Sequence, residues 1–234
     1  MNLASRHWLS AILLALLAFL LWSAFAGMTS EEVKAFEGYK TKAENGDASA
    51  QYILGDCYAS GKGVARDLSE AVKWYRKAAD QGNAEAQSLL GRCYYFGRGV
   101  EKDAAEAVKW YRKAADQGDA YAQFELGYCY ANGKGVAKNA VEAVKWYRKA
   151  ADQGNAEAQS LLGDCYTIGR GVAPDSVEAY AYYNLAGRTD EDARKMLAAL
   201  EKILSPRDRL RGQQRFKELQ KEIEANMATK PAGK

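Results

Sequence analysis

The sequence predicts an all-α fold, an α-solenoid built from repeated helix-turn-helix units and closed by a C-terminal helical cap. Three observations support this. The string EAVKWYRKAADQG occurs at Glu70–Gly82, Glu106–Gly118 and Glu142–Gly154, so the period is 36 residues. Apolar residues within each copy recur at helical spacing. Glycines end each helical stretch at fixed positions. A fixed period of this size is typical of a repeat array, in which each unit packs only on its neighbours.

The first segment, 1–27, differs from the rest in composition and predicts export. Arg6 gives it a positive start, the stretch Leu9–Ala26 is apolar apart from two serines, and Ala24-Phe25-Ala26 fits a small-x-small cleavage site. About 18 apolar residues can also just span a bilayer. We therefore expect an exported, periplasmic protein, either soluble after cleavage near Ala26 or anchored in the inner membrane by this segment.

Each unit is predicted to contain two helices, A and B. Both begin after an Asp or Asn that suits an N-cap, and both stop at a glycine. Helix B also has a Glu three residues after its cap, which is the spacing of a capping box. The A-helix caps are Asp47, Asn83, Asp119 and Asn155, with stops at Gly61, Gly97, Gly133 and Gly169. The B-helix caps are Asp67, Asp103, Asn139 and Asp175, followed by Glu70, Glu106, Glu142 and Glu178, with stops at Gly82, Gly118 and Gly154.

Before and after the repeats, the sequence predicts capping helices. One helix, roughly Ser30–Glu44, should end at Gly46, and two more are expected at Glu191–Leu204 and Pro206–Ala225. The high charge of the last helix favours a polar cap at the end of the stack, with a coiled-coil partner helix as the alternative. The predicted divisions are 28–46 (capping helix), 47–82, 83–118, 119–154 and 155–188 (repeats), 189–226 (capping helices) and 227–234 (tail).

Helix B has an apolar face formed in the first copy by Ala71, Trp74, Tyr75 and Ala78. Tryptophan recurs at one repeat position, which favours a core role over an exposed stacking platform. We expect small residues of helix A, such as Gly55, to let a neighbouring helix approach closely. The tryptophans that should fill the gap are Trp74, Trp110 and Trp146.

This pattern resembles the Sel1-like repeats, a family related to the tetratricopeptide (TPR-like) repeats. The fourth unit departs from it at Tyr182, where tryptophan is expected. The resemblance implies a right-handed α-solenoid. It also implies an adaptor that holds protein complexes together. Some bacterial members act at the cell envelope or are linked to peptidoglycan or β-lactam binding. The matching residues of the second unit are Leu90, Gly91, Tyr94, Gly97, Gly99, Val100, Asp103, Ala107, Trp110, Tyr111, Ala114, Ala115 and Gly118.

The chain lacks the side chains that common catalytic sites require. His7 is the only histidine, and it lies in the predicted export segment. The exported part therefore cannot build Ser/His/Asp or Cys/His catalysis, or a zinc site that uses histidine. We predict a protein that is not an enzyme and has no catalytic residues, no metal site and no cofactor. Its net charge of +3 does not favour nucleic acid as a partner.

The four cysteines share one repeat position, at Cys57, Cys93, Cys129 and Cys165. Packed helices lie about 8–10 Å apart, whereas bridged cysteines need Cα atoms within about 7 Å. Neighbouring cysteines should therefore not pair, and we expect semi-buried, small apolar side chains. Exposed cysteines would instead be four thiols outside the cytoplasm.

The loops between helices A and B carry a Gly-x-Gly-Val sequence with a basic residue between the glycines. They lack the preceding strand of a phosphate-binding loop. The positive edge they build could face anionic envelope polymers or lipid headgroups, although a solvated edge explains the same residues. The cations are Lys62, Arg98, Lys134 and Arg170, joined by Arg66, Lys102 and Lys138.

The candidate functional surface lies where the copies differ. Three positions of helix A, spaced by four residues and hence on one face, change between repeats. In tetratricopeptide-like stacks helix A lines the concave side, so this face should look into a groove. Aromatic and charged residues there suit a peptide or a glycan, and drift on a surface without function is the alternative. The predicted contact residues are Tyr52, Asp56, Arg92, Phe124, Tyr128 and Asp164.

Taken together, these features predict a non-catalytic scaffold that binds a protein or peptide through the concave face of the repeat array at the bacterial envelope. The alternative is a peptidoglycan or glycan binding protein. A weak hydrolase is disfavoured, because Asp56 and Asp164 lie three repeats apart, too far for a catalytic pair of carboxylates. Membrane contact is expected only through 1–27, if that segment is retained.

Overall fold

The structure is a computed structural model that describes residues 29–229. The predicted export segment lies outside these residues. Within them every regular element is a helix, and none has the length and apolar composition to cross a membrane. The helices are α1 (Ser30–Glu44), α2 (Ala48–Ser60), α3 (Leu68–Asp80), α4 (Ala84–Phe96), α5 (Ala104–Asp116), α6 (Ala120–Asn132), α7 (Ala140–Ala151), α8 (Ala156–Ile168), α9 (Ser176–Ala186), α10 (Glu191–Ile203) and α11 (Pro206–Thr229).

The predicted all-α fold of repeated helix pairs is confirmed. The A helices are α2, α4, α6 and α8, and the B helices are α3, α5, α7 and α9. The described residues form two compact units: 29–86 with 98–101, and 87–97 with 102–229. Each unit has its own apolar core. The first is centred on Phe36, Leu54 and Trp74. The second is formed by α5 to α9 and extends to Leu200 and Leu219 of the C-terminal helices.

The predicted N-caps of the A helices are present. The carboxylate of Asp47 accepts a hydrogen bond from the amide of Ala50 at 2.7 Å, which satisfies a donor that the first turn of a helix leaves open. The other three A helices are capped by the corresponding bond to Asn83, Asp119 and Asn155. The glycine stops of the A helices have positive φ between 68° and 81°, as the left-handed C-terminal position requires.

The predicted capping boxes of the B helices are only half formed. Asp67 accepts from the amides of Ser69 and Glu70, as expected. The amide of Asp67, however, donates to the carbonyl of Tyr58 at 2.9 Å instead of to a Glu side chain, and the other three repeats do the same. Because that amide is already satisfied within the repeat, the carboxylate of Glu70 pairs with Lys73 instead. A complete capping box stands at α1, between Thr29 and Glu32.

Glycine and tyrosine make the close contact between helices A and B. A Cβ placed on Gly127 would lie 2.7 Å from the ring of Tyr147. The prediction that tryptophan fills this gap is wrong, because the tyrosine one residue further along helix B points at the glycine. The same pairs recur as Gly55 with Tyr75, Gly91 with Tyr111 and Gly163 with Tyr183.

The three tryptophans of the repeats are buried, as predicted for core residues, with 4–8% of their surface exposed. A lysine ammonium lies over each ring, at 3.7 Å from the centroid for Trp74 and 3.9 Å for Trp110 and Trp146. Such cation–π contacts shield the outer face of each ring from water while the inner face packs in the core. In the fourth repeat Tyr182 takes this position and stacks on Tyr166, with ring centroids 5.7 Å apart.

A second glycine contact joins each A–B loop to the preceding B helix. Gly135 has a φ of +69°, and a Cβ at this position would overlap the carbonyl oxygen of Ala104 at the start of α5. The same contact is made by Gly63 with Glu32, Gly99 with Leu68 and Gly171 with Ala140. The contact of Gly63 with α1 shows that α1 occupies the place of a B helix.

All four cysteines are buried, with at most 9% of their surface exposed. This agrees with the prediction of small apolar side chains and removes the alternative of exposed thiols. Burial raises the pKa of Cys129 to about 12, so its thiol is protonated at neutral pH and is a poor nucleophile.

The C-terminal helix α11 packs on α9. Gly212 lies against the ring of Tyr180, and Arg215 donates to the carboxylate of Glu178 at 2.8 Å. The helix continues to Thr229, four residues beyond the predicted end at Ala225, so Met227 is helical although the sequence places it in the tail. Apolar packing explains the longer helix, because the side chains of Ile223 and Met227 lie one turn apart and both pack at Gly154. Conversely, α10 ends at Ile203, one residue earlier than predicted.

Candidate functional site

The six predicted contact residues all lie on A helices and are all partly accessible. Tyr128 is the most open of them in the second unit, with 38% of its surface exposed. Tyr52 and Asp56 belong to the first unit, whereas Arg92, Phe124, Tyr128 and Asp164 belong to the second. Each unit therefore presents its own part of the predicted surface.

In the first unit, both predicted residues contact the tyrosine of the neighbouring B helix. The hydroxyl of Tyr75 donates to the carboxylate of Asp56 at 2.6 Å, and the ring of Tyr52 lies 6.4 Å from that of Tyr75 between centroids. The hydrogen bond fixes the orientation of Asp56, because one of its carboxylate oxygens is held by Tyr75.

The second unit shows the same arrangement in its last repeat. Tyr183 donates to Asp164 at 2.8 Å, and burial raises the pKa of Tyr183, so its hydroxyl remains a proton donor over the neutral range. Phe124 packs on Tyr147, with ring centroids 6.1 Å apart. Phe124 and Asp164 are thus positioned by tyrosines that the repeat itself supplies.

Tyr128 and Asp164 line one pocket of about 150 Å³ between α6, α7 and α8, which we call the anchor pocket. Its walls are mostly apolar, and Asn132 and Arg170 contribute its polar groups beside Asp164. The structure therefore brings two predicted residues together, with Phe124 behind them against Tyr147 in the pocket wall. The remaining lining residues are Ala131, Ala140, Ala143, Tyr147, Leu161 and Cys165.

An equivalent pocket of about 270 Å³ occurs in the first unit, between α1 and α2. Seven of its lining residues stand three repeat periods before a residue of the anchor pocket, so both pockets are products of the repeat geometry. The corresponding pairs are Glu32 and Ala140, Ala35 and Ala143, Tyr39 and Tyr147, Ile53 and Leu161, Asp56 and Asp164, Cys57 and Cys165, and Lys62 and Arg170.

Sequence reasoning missed a polar group on α6, formed by Tyr121 and Glu125. Glu125 is half-buried, and burial raises the pKa of its carboxyl while a hydrogen bond from Tyr121 and the charge of Arg92 lower it. The charge of Arg92 thus acts on this acid. The signal was visible as a break in the pattern, because the position of Glu125 is aliphatic in the other repeats, at Ile53, Leu89 and Leu161.

The tyrosine hydroxyls of the B helices differ in how they are satisfied. The hydroxyl of Tyr111 is buried and has no hydrogen-bond partner among the described residues, because Arg92 stands where Tyr75 and Tyr183 each meet an aspartate. An unpaired buried hydroxyl is destabilising.

We expect Tyr111→Phe to raise the free energy of unfolding by about 1 kcal/mol and Tyr183→Phe to lower it by about 1 kcal/mol. The first change removes an unpaired group, whereas the second takes a donor from Asp164. Urea unfolding of the two purified variants, followed by far-UV circular dichroism, measures both effects. Loss of stability in Tyr111→Phe would show that its hydroxyl has a partner.

The polar side chains that line the anchor pocket are those of Tyr128, Tyr147, Asn132, Asp164 and Arg170. Among residues 29–229, no group of three or more His, Cys, Asp or Glu side chains is arranged to hold a metal ion.

The repeats and the overall chain are similar to known proteins. The family model described as Sel1 repeat matches four segments, 48–83, 84–119, 120–155 and 156–188. A crystal structure of c5321, a protective antigen present in uropathogenic Escherichia coli strains displaying an SLR fold, is 37% identical with a TM-score of 0.75. The match covers 92% of this chain and 47% of that one, so this chain spans about half the length of c5321.

A Sel1 repeat protein from Oxalobacter formigenes is 36% identical with a TM-score of 0.68. That match covers 83% of this chain and 80% of the other. No curated protein matches the chain.

Proposed function

This chain belongs to the Sel1 repeat family, and from that premise we propose that it is a non-catalytic scaffold whose A-helix face binds a protein or peptide partner. Sel1 repeat proteins generally act as scaffolds for protein interactions. The A-helix face, formed by the three variable positions that include Tyr52, Asp56 and Tyr128, differs between the repeats. The Trp and Tyr residues that recur in the B helices are buried. Partner choice should therefore reside on the A helices.

The observation that carries this proposal is the anchor pocket beside Tyr128. A partly exposed tyrosine at the edge of an apolar pocket is the kind of residue that dominates binding energy in protein interfaces. The pocket also contains an oriented carboxylate and an arginine, which can fix the direction of a bound chain. The peptidoglycan alternative gains no support from the comparisons.

We further propose that this scaffold works at the bacterial envelope. The support for this location is the composition of 1–27, with a positive start, an apolar stretch and a small-x-small site. The tests of binding below do not depend on it.

A photo-crosslinking amino acid at position 128, introduced into the protein in cells, is expected to capture a partner protein. The matched control is position 196 on α10, since Met196 is 42% exposed and Tyr128 is 38% exposed. We expect a specific protein adduct from position 128 and none from position 196. Tyr128→Ala should weaken binding of the captured partner at least about tenfold, because loss of an interface tyrosine commonly costs more than 1 kcal/mol.

Two results would contradict the proposal. One is the absence of any protein adduct from position 128, and the other is the same set of adducts from both positions. Circular dichroism of Tyr128→Ala must match that of the parent, which its exposure leads us to expect.

A further inference from the structure

The anchor pocket has the size of one large apolar side chain. A dry cavity of about 150 Å³ accommodates a benzene ring, and the volume here is about 150 Å³. Its depth comes from Ala140 and Ala143, because these small residues of α7 leave space between Tyr147 and Leu161. A phenyl ring or a branched aliphatic side chain would therefore fill the pocket and displace water from apolar walls.

Three cations lie in or next to the segments that line this pocket, and we call them the mouth cations: Arg170 lines it, Lys134 stands two residues after Asn132, and Lys138 two residues before Ala140. All three are exposed, and none of them takes part in an ion pair within the described residues. Arg170 lines the pocket directly. Their side chains are available to an incoming negative charge.

The loops of two repeats bring the mouth cations to the same place. The backbone of Gly171, next to Arg170, abuts the carbonyl of Ala140 at the start of α7. Lys138 lies two residues before Ala140, and a Cβ on Gly133 would lie 3.3 Å from the Cβ of Lys138, so the backbone that leads into Lys134 passes close to Lys138.

The acids near the pocket offset only part of the charge of the mouth cations, because Asp164 is the one acid among the residues that line it. Asp164 accepts the hydroxyl of Tyr183 at 2.8 Å. Glu142, two residues after Ala140, pairs with Lys145 on its own helix at 2.6 Å. An apolar pocket with positive charge beside it is complementary to an apolar side chain flanked by negative charge.

We propose that the anchor pocket receives one large apolar side chain of an acidic peptide segment, whose carboxylates meet the mouth cations. This rests on the proposed function and names the chemistry of the partner. A membrane with anionic headgroups would also meet the cations, but it offers no single side chain for a pocket between three helices. The partner is therefore a protein with an acidic segment built around one aromatic or leucine residue.

The test is selection of peptides from a random twelve-residue library displayed on phage, with the full-length protein as bait. We expect the enriched sequences to share one large apolar residue flanked by Asp or Glu. Synthetic fluorescein-labelled versions, measured by fluorescence anisotropy, should lose at least about tenfold in affinity when that residue becomes alanine. Raising the salt concentration from 50 to about 300 mM should also weaken them, because the charges are exposed.

Variants of the protein make the test specific to the mouth cations. Arg170→Glu and Lys134→Glu should each weaken the selected peptides at least about tenfold. The control is Lys202→Glu, which makes the same change of charge at an exposed lysine of α10 and should leave affinity unchanged. Two mouth variants are used because a loss seen in both, with unchanged circular dichroism, is a loss of binding and not of folding.

The inference is overturned by enrichment of neutral or basic peptides, by no enrichment, or by equal affinity in the parent and both mouth variants. If the protein floats with phosphatidylglycerol vesicles and binds no peptide, the inference is overturned and the mouth cations bind a membrane. If position 128 still captures a protein in cells, these results leave the proposed function standing. Peptides that bind as expected, with no partner captured in cells, would count against the proposed function instead.

Discussion

Replacement of Gly135 by alanine is expected to lower the free energy of unfolding by about 2–5 kcal/mol. Two costs combine in this change. An L-residue at the observed φ of +69° costs about 1–2 kcal/mol, and the new methyl group would overlap the carbonyl oxygen of Ala104, an overpacking that typically costs 1–3 kcal/mol. The obstacle is backbone, so relief requires α5 to move. Urea unfolding followed by far-UV circular dichroism gives the value.

Gly118→Ala is the matched control for this prediction. Gly118 also has a positive φ, of +91°, but a Cβ there would have no atom within 4 Å. It should therefore show only the backbone cost of about 1–2 kcal/mol. Equal losses in the two variants would mean that the contact between Gly135 and Ala104 contributes nothing to stability.

Trp110→Ala is expected to lower the free energy of unfolding by about 3–5 kcal/mol, as is usual for a buried tryptophan. The ring is 4% exposed, its Nε1 donates to the carboxylate of Glu106 at 2.9 Å, and the ammonium of Lys113 lies over its face. The change removes the buried ring together with its hydrogen bond and its cation–π contact, and it leaves a cavity in their place. The same unfolding measurement tests it, and a loss below about 1 kcal/mol would be incompatible with a core role.

Two phenylalanine variants separate the indole hydrogen bond from the packing. Trp110→Phe loses a bond to Glu106, whereas the Nε1 of Trp146 is buried without a partner among the described residues. Trp110→Phe should therefore cost about 1 kcal/mol more than Trp146→Phe. If the two cost the same, the bond to Glu106 does not stabilise the fold.

The helices and their caps could be read from the sequence because they depend on neighbours in the chain. Asp67 caps α3 through amides two and three residues away, and such a bond needs no knowledge of the rest of the fold. The second half of the capping box could not be read, because the competing acceptor is the carbonyl of Tyr58 on another helix.

Contacts across helices were harder to predict. Trp74 and Tyr75 are adjacent, and one residue turns a helix by about 100°. Composition gives no means to decide which of the two faces Gly55, and only the packing of helix B on helix A selects the tyrosine.

The sequence predicted residues of the candidate site but not the pocket that they line. The variable positions of helix A led to Tyr128 and Asp164, which do line one pocket. The pocket itself also needs Ala140 of a B helix and Arg170 of a loop, and their meeting depends on the backbone contact at Gly171. Glu125 could have been identified from the sequence, because the other three repeats have Ile or Leu at its position.

The loop glycines determine how such a chain can change in length. Each of them meets the residue 31 places earlier, from Gly63 on Glu32 to Gly171 on Ala140. Loss or gain of a whole period of 36 residues keeps a glycine at every such contact, whereas a step of one residue would put a side chain against the carbonyl. The three copies of EAVKWYRKAADQG stand one period apart, so duplication or loss of the stretch from one copy to the next changes the length by a whole period. The number of copies can therefore change while the loop glycine contacts between them are kept. Each added copy also brings a new A helix on which selection can act.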